Sequence, residues 1–146
     1  PMLSKDFKEF VACLNARAVD YLIVGGYAVA WHGHPRHTGD LDVWVRRDAG
    51  NAARLMQALG DFGFGSLGLS PADFEGPQQV VQLGYPPFRI DLMTDIDGVD
   101  FSAAWPRRDT TQWDGLILHF IGLEDLKTNK LSTGRPRDLG DVQELP

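Results

Sequence analysis

Apolar residues recur at intervals of three and four through residues 4–17, where Phe7, Phe10, Val11 and Leu14 share one face and Ser4 can cap the start. That spacing predicts an amphipathic helix. The run "DYLIVGG" (20–26) reads as a short strand ending in a glycine turn. "YAVAWHG" (27–33) is apolar nearly all round and closes on Gly33, the pattern of a short buried helix. Strand character returns in "TGDLDVWVRR" (38–47), and helical spacing in residues 49–61 through Ala52, Leu55, Met56 and Leu59.

The second half continues the interleaving. "SPADFEG" predicts a loop with a short helix, Ser70 capping and Pro71 taking the first helical position. "QQVVQLG" and "FRIDLMTDI" read as strands split by "YPP", and "FSAAWPRR" as a short helix stopped at Pro106. "TTQWDGLILHFI" predicts a hairpin turning at Asp114–Gly115. Helices over 123–133 and 136–145 follow, separated by "GRP". Strands and helices alternate without the long regular crossovers of a doubly wound fold. The expectation is therefore a single α/β (α+β) domain over residues 1–146, a small mixed β-sheet flanked by helices.

Composition changes this picture little. A chain of 146 residues with 43% hydrophobic and 23% charged residues can bury one core without staples. The lone Cys13 falls beside Phe10, Val11 and Leu14 and reads as a small hydrophobe. The longest apolar stretch, "YLIVGGYAVAW", has 11 residues and is broken by glycines, too short to span a bilayer. "PMLSKDFKEF" lacks a signal-peptide core, so a soluble cytoplasmic protein is expected, with no membrane partner. Net charge is −6, and residues 61–100 carry all of that excess, with seven acids against the single base Arg89. No extensive nucleic-acid coat is expected on such a balance.

Candidate chemistry centres on Asp40 and Asp42, one residue apart inside the apolar run "LDVWV". On a strand, alternate residues share a face about 7 Å apart, so the two carboxylates would be neighbours while Leu41 and Val43 enter the other side. Ionised neighbours repel unless water or a cation separates them, and a hard divalent ion suits the gap. A solvated edge strand is the competing reading for any acid-x-acid pair. The context favours the ion: Gly25 and Gly26 end the preceding strand, where bare backbone can approach a phosphate.

These residues resemble the signature of the polymerase β-type nucleotidyltransferase superfamily: a glycine pair, a spacer of thirteen residues, and the triplet "DLD" on a strand. Gly25, Gly26, Ala28, His32, Gly33, Arg36, Thr38, Asp40 and Asp42 together are similar to small bacterial members, among them minimal nucleotidyltransferases, relatives of abortive-infection toxins, and enzymes that modify aminoglycosides and lincosamides. The resemblance implies a nucleotidyltransferase fold and transfer of an NMP group from an NTP to an acceptor hydroxyl, with Mg²⁺ and release of pyrophosphate. It also implies a third acid from a later strand. Asp91, between Ile90 and Leu92, fits that place as metal ligand and general base, whereas Asp95 and Asp97 read as the exposed strand end. Gly25, Gly26, Arg36 and Thr38 would hold phosphate. One departure is Tyr27, which stands where many members carry a phosphate-binding serine.

Two further groups bear on function. Projection of residues 122–134 at 100° per residue puts Lys127 and Lys130 inside the stripe of Leu123, Leu126 and Leu131, facing the core side. They can snorkel past it, or reach a triphosphate and the acids. The next helix aligns Leu139, Val142 and Leu145, with Asp138 and Asp141 read mainly as packing groups beside Arg135. His32, His34 and His37 invite a zinc reading, weakened by Gly33 and Pro35 between them and the lack of a nearby cysteine. The acceptor stays open among a small molecule, a tRNA end and a partner protein. The alternative is a catalytically silent module of the same fold, such as a toxin-antitoxin component.

Overall fold

A computed structural model describes residues 3–34 and 38–146. Six strands form one sheet in the order β3-β4-β2-β1-β6-β5. The chain enters through α1 (Lys5–Ala16), capped by the Ser4 hydroxyl accepting from Phe7 N–H, then β1 (Tyr21–Val24), α2 (Gly25–Trp31), β2 (Leu41–Val45) and α3 (Ala49–Phe62). After a 3₁₀ turn at Pro71–Phe74 come β3 (Val80–Leu83), β4 (Ile90–Met93) and α4 (Phe101–Ala104). The hairpin β5 (Asp109–Trp113) and β6 (Leu116–Phe120) precedes α5 (Leu123–Thr133) and α6 (Pro136–Glu144).

The sheet is mixed. β1 runs antiparallel to β2 and parallel to β6, β2 runs parallel to β4, and both outer pairs, β3–β4 and β5–β6, are antiparallel. β1 and β2 lie at the centre, and Tyr21, Leu22, Ile23, Leu41, Val43, Trp44 and Val45 are fully buried. α1 and α3 close over them through Phe10, whose ring meets Phe62 edge-on at 5.2 Å. Asn51, fully buried on α3, staples the end of this layer: it accepts from Asp20 N–H and donates to the carbonyls of Asp20 and Arg46. A buried amide is tolerated there because each polar group finds a partner. Asp114 and Gly115 both take positive φ, +51° and +76°, the backbone that a two-residue hairpin with right-handed strand twist requires.

Element types match the sequence pattern throughout, and three boundaries differ. The first strand stops at Val24, so the glycines open α2 instead of ending β1. β2 starts only at Leu41, whose N–H is taken by the Arg89 carbonyl at 3.0 Å; Asp40 therefore sits in the bend before the ladder, not within it. β4 ends at Met93, and Asp95 and Asp97 lie in the turn beyond, bridged by Ile96 and Val99. The apolar stripes expected on α5 and α6 also fail in part. Leu131 and Leu139 are 55% and 39% exposed, while Asp125, Lys130, Asp138 and Asp141 are buried. Charge pairing overrides the apolar pattern here, with Arg107 clamping Asp125 at 2.9 and 3.0 Å. No described helix is long and apolar enough to cross a membrane.

Candidate active site

The ladder dictates how the acids meet. Asp42 on β2 is in register with Asp91 on the parallel β4, and on its other side with Val24, the last residue of β1. Gly25 therefore turns directly over the Asp42 carboxylate. Its φ is +66°, and a β-carbon there would lie 2.1 Å from Asp42 Oδ2. Only glycine permits both the left-handed backbone and the close approach. A β-carbon on Gly26 would fall 2.8 Å from Thr38 Cγ2. The Thr38 hydroxyl is buried with no hydrogen-bond partner among the described residues, an orphaned polar group on a residue whose methyl packs against Gly26.

A Gly25→Ala chain should accordingly lose about 2 kcal/mol from backbone strain alone. Displacement of Asp42 would add to it. The measurement is thermal melting, with a drop of about 6 °C expected for a chain of this size. An unchanged melting temperature would contradict the tight corner.

An open cleft of about 370 Å³ lies over this corner. Its floor is Gly25, Gly26, Thr38, Gly39, Asp40 and Asp42, and its wall is Lys130, Arg135, Arg137, Asp138 and Asp141 from α5 and α6. A second hollow of about 250 Å³ adjoins it past Asp42 and Lys130, reaching Asp95, Asp97, Asn129 and Thr133.

Electrostatics at the floor are strained. Asp42 is pushed up to about 7, first by burial and then by the charges of Asp91 and Asp40, with Arg89 pulling the other way. Arg89 is the cation of the cluster: its guanidinium donates to Asp40 Oδ2 at 2.7 Å and to Asp91 Oδ2 at 3.2 Å. Its Nε also lies 3.1 Å from Asp91 Oδ1, without hydrogen-bond alignment, so both atoms are buried and unpartnered in that sense. On the wall, Lys130 is buried and paired with Asp138 at 2.8 Å and Asp141 at 3.0 Å. Asp138 also accepts from Thr133 and Arg135; despite its burial these bonds hold its carboxyl down at about 2.

The chemistry of the donor set fits a divalent ion. Asp40, Asp42 and Asp91 offer hard oxygens, and a carboxyl as crowded as Asp42 gains from an added positive charge. As arranged, no three His, Cys, Asp or Glu side chains among the described residues form a ready metal cage, and Arg89 lies across two of the acids.

Of the residues singled out from sequence, Gly25, Gly26, Thr38, Asp40, Asp42 and Lys130 line one cleft, and Asp91 backs onto it beside Asp42. Lys127 does not line it. Its ammonium is drawn to the Pro146 carbonyl and lies 3.6 Å from Glu124, because its place on α5 faces the carboxy-terminal segment. Arg36 and His37 lie outside the described residues. His32 donates to the Ile121 carbonyl at 2.7 Å, a helix-end bond, and His34 lies 4.0 Å from Glu144. Sequence reasoning missed Arg89, Arg137 and the burial of Asp138 and Asp141. The signal for Arg89 was present: it is the single base in the acidic segment, two residues before Asp91 and hence on its strand face.

No family model matches the sequence, and no curated protein matches it. Solved structures do. A Thermotoga maritima protein provisionally assigned as a nucleotidyltransferase aligns over 94% of this chain and 88% of its own, with TM-score 0.60 and 13% identity. An antigenic nucleotidyltransferase-like protein from Paracoccidioides brasiliensis aligns over 97% and 76%, with TM-score 0.52 and 24% identity. The lincosamide antibiotic adenylyltransferase LnuA, solved with lincomycin, aligns over 98% and 96%, with TM-score 0.53 and 14% identity. At such identities the likeness is one of architecture: this chain has the fold of these nucleotidyltransferases.

Proposed function

We propose that the protein is a metal-dependent nucleotidyltransferase, moving an NMP group from an NTP to an acceptor hydroxyl with release of pyrophosphate. The observation that carries this reading is the meeting of Asp40, Asp42 and Asp91 beneath a glycine corner too tight for any side chain. Asp40, Asp42 and Asp91 would hold Mg²⁺, which when bound supplies electrophilic activation of the phosphoryl group.

The chain's own groups would do the rest. Backbone at Gly25 and Gly26 would lie against phosphate oxygens, and the unpartnered Thr38 hydroxyl would donate to one of them, covering for the serine absent at Tyr27. Lys130, Arg135 and Arg137 line the same cleft and would offset charge gathering on the leaving pyrophosphate. Asp91, behind Asp42, would take the acceptor hydroxyl proton. A hydroxyl-bearing small molecule is the acceptor favoured here, for which the adjoining hollow of about 250 Å³ leaves room.

Incubation with each α-labelled NTP, Mg²⁺ and a panel of acceptors (hydroxylated antibiotics, tRNA, proteins) tests the reading. Label transfer that stops on chelation by EDTA is expected. NTP binding that calorimetry finds indifferent to divalent ion would favour the silent module instead.

A further inference from the structure

Arg89 has a place no substrate-handling role requires. Its backbone is pinned, the carbonyl accepting from Leu41 N–H at 3.0 Å where β2 and β4 begin to pair. Its side chain is 30% exposed and lies across two carboxylates that belong to different elements, Asp40 in the bend before β2 and Asp91 in β4. With Arg89 removed, three acids would face one another with no cation paired to them among the described residues.

The guanidinium across Asp40 and Asp91 places a fixed positive charge where a divalent ion would also bind, so the two cations oppose each other there. Asp40 Oδ2 is committed to Arg89 at 2.7 Å, and Asp91 Oδ2 at 3.2 Å. Arginine keeps its charge at every pH a protein survives, so the contact can be broken only by movement. The side chain is long and partly exposed, and its contacts with Asp40 and Asp91 are made by the guanidinium alone, so it can swing away without breaking the backbone bond to Leu41.

We propose that Arg89 is a tethered counter-cation that occupies the carboxylate cluster in the metal-free protein and opposes a divalent ion there, so that it sets how much metal the site needs. This rests on the metal-site reading above. Arg89 here is a positioning residue: it keeps the acids gathered before the ion arrives, and exacts a competitive cost when it does.

The test is direct metal binding. Mn²⁺ alone is titrated calorimetrically into the wild-type chain and into Arg89→Gln, Arg89→Lys and Asp42→Asn. Arg89→Gln should bind Mn²⁺ about tenfold more tightly than wild type, the size of coupling typical when two ligands oppose each other. Arg89→Lys, which keeps the charge but cannot span both acids, should fall between them, and Asp42→Asn should bind least. In the wild-type chain, the ¹⁵N resonance of Arg89 Nε should shift as Mg²⁺ is added, a readout independent of any variant's folding.

Equal Mn²⁺ affinity in wild type and Arg89→Gln, or weaker affinity in the variant, would overturn the competition and leave the metal site standing. An Arg89 resonance that ignores a saturating ion would do the same. No measurable ion binding by either chain would overturn the metal site itself and this inference with it.

Discussion

Asp42→Asn should abolish nucleotidyl transfer and, in the same chain, raise stability. Loss on the order of a thousandfold is expected, since a bound metal supplies several kcal/mol of transition-state stabilisation and about 1.4 kcal/mol is a factor of ten. The gain in stability follows from the raised carboxyl. Asp42 stands at about 7 in the folded protein, above its ordinary value of 3.8. Folding therefore opposes its ionisation, and the penalty is complete above pH 7. It shrinks as pH falls from there toward 4, where folded and unfolded chains both take the proton. An amide carries no such penalty at any pH. Metal-free Asp42→Asn should thus melt about 5 °C above wild type at pH 8, with the difference closing by pH 4 to 5. Calorimetric melting across that range checks it. A variant that melts lower at pH 8 would mean the carboxylate is already stabilised by something other than the neighbours described here.

Lys130→Ala should be the most destabilising single change at the site. Lys130 is buried, as are its partners Asp138 and Asp141. Removing the cation leaves two carboxylates in a half-closed wall, and breaking a buried pair from one side costs about 3 kcal/mol. For a chain of this length the melting temperature should fall by about 10 °C. Replacing Lys130, Asp138 and Asp141 together with apolar residues of similar volume should recover most of that loss, because the desolvation cost goes with the charges. The triple variant should nevertheless stay inactive. Recovery of both would show that the cluster is architecture alone; recovery of stability without activity separates the two roles.

The fold was largely legible because its signals are local. Helical spacing in α1 and α3, the Asp114–Gly115 turn and the Gly25–Gly26 pair each declare themselves within a few residues. Asp42 and Gly25 were legible for the same reason. What was not legible depends on which strands lie side by side. Arg89 looks like an ordinary strand-entry residue until β4 is placed next to β2, when it falls between two acids 49 and 2 residues away in sequence. Asp138 and Asp141 read as packing groups on a helix aligned by Leu139, with no sign in the sequence of the cation they would bury. Only the crossing of α5 over α6 turns them inward around Lys130 and leaves Leu139 in water. Lys127 was misplaced because periodicity gives a face but not the neighbour that face meets.

The cleft has its floor in Gly25, Gly26 and the stretch from Thr38 to Asp42, and its wall in Lys130 and residues 135–141. Neither half is a pocket by itself, so the site comes into being only when the early and late parts of the chain have closed on each other. Amide exchange along α6 should consequently report whether a binding surface exists at any moment, and a nucleotide that bridges the halves would act as a clasp, slowing that exchange well beyond the residues it touches.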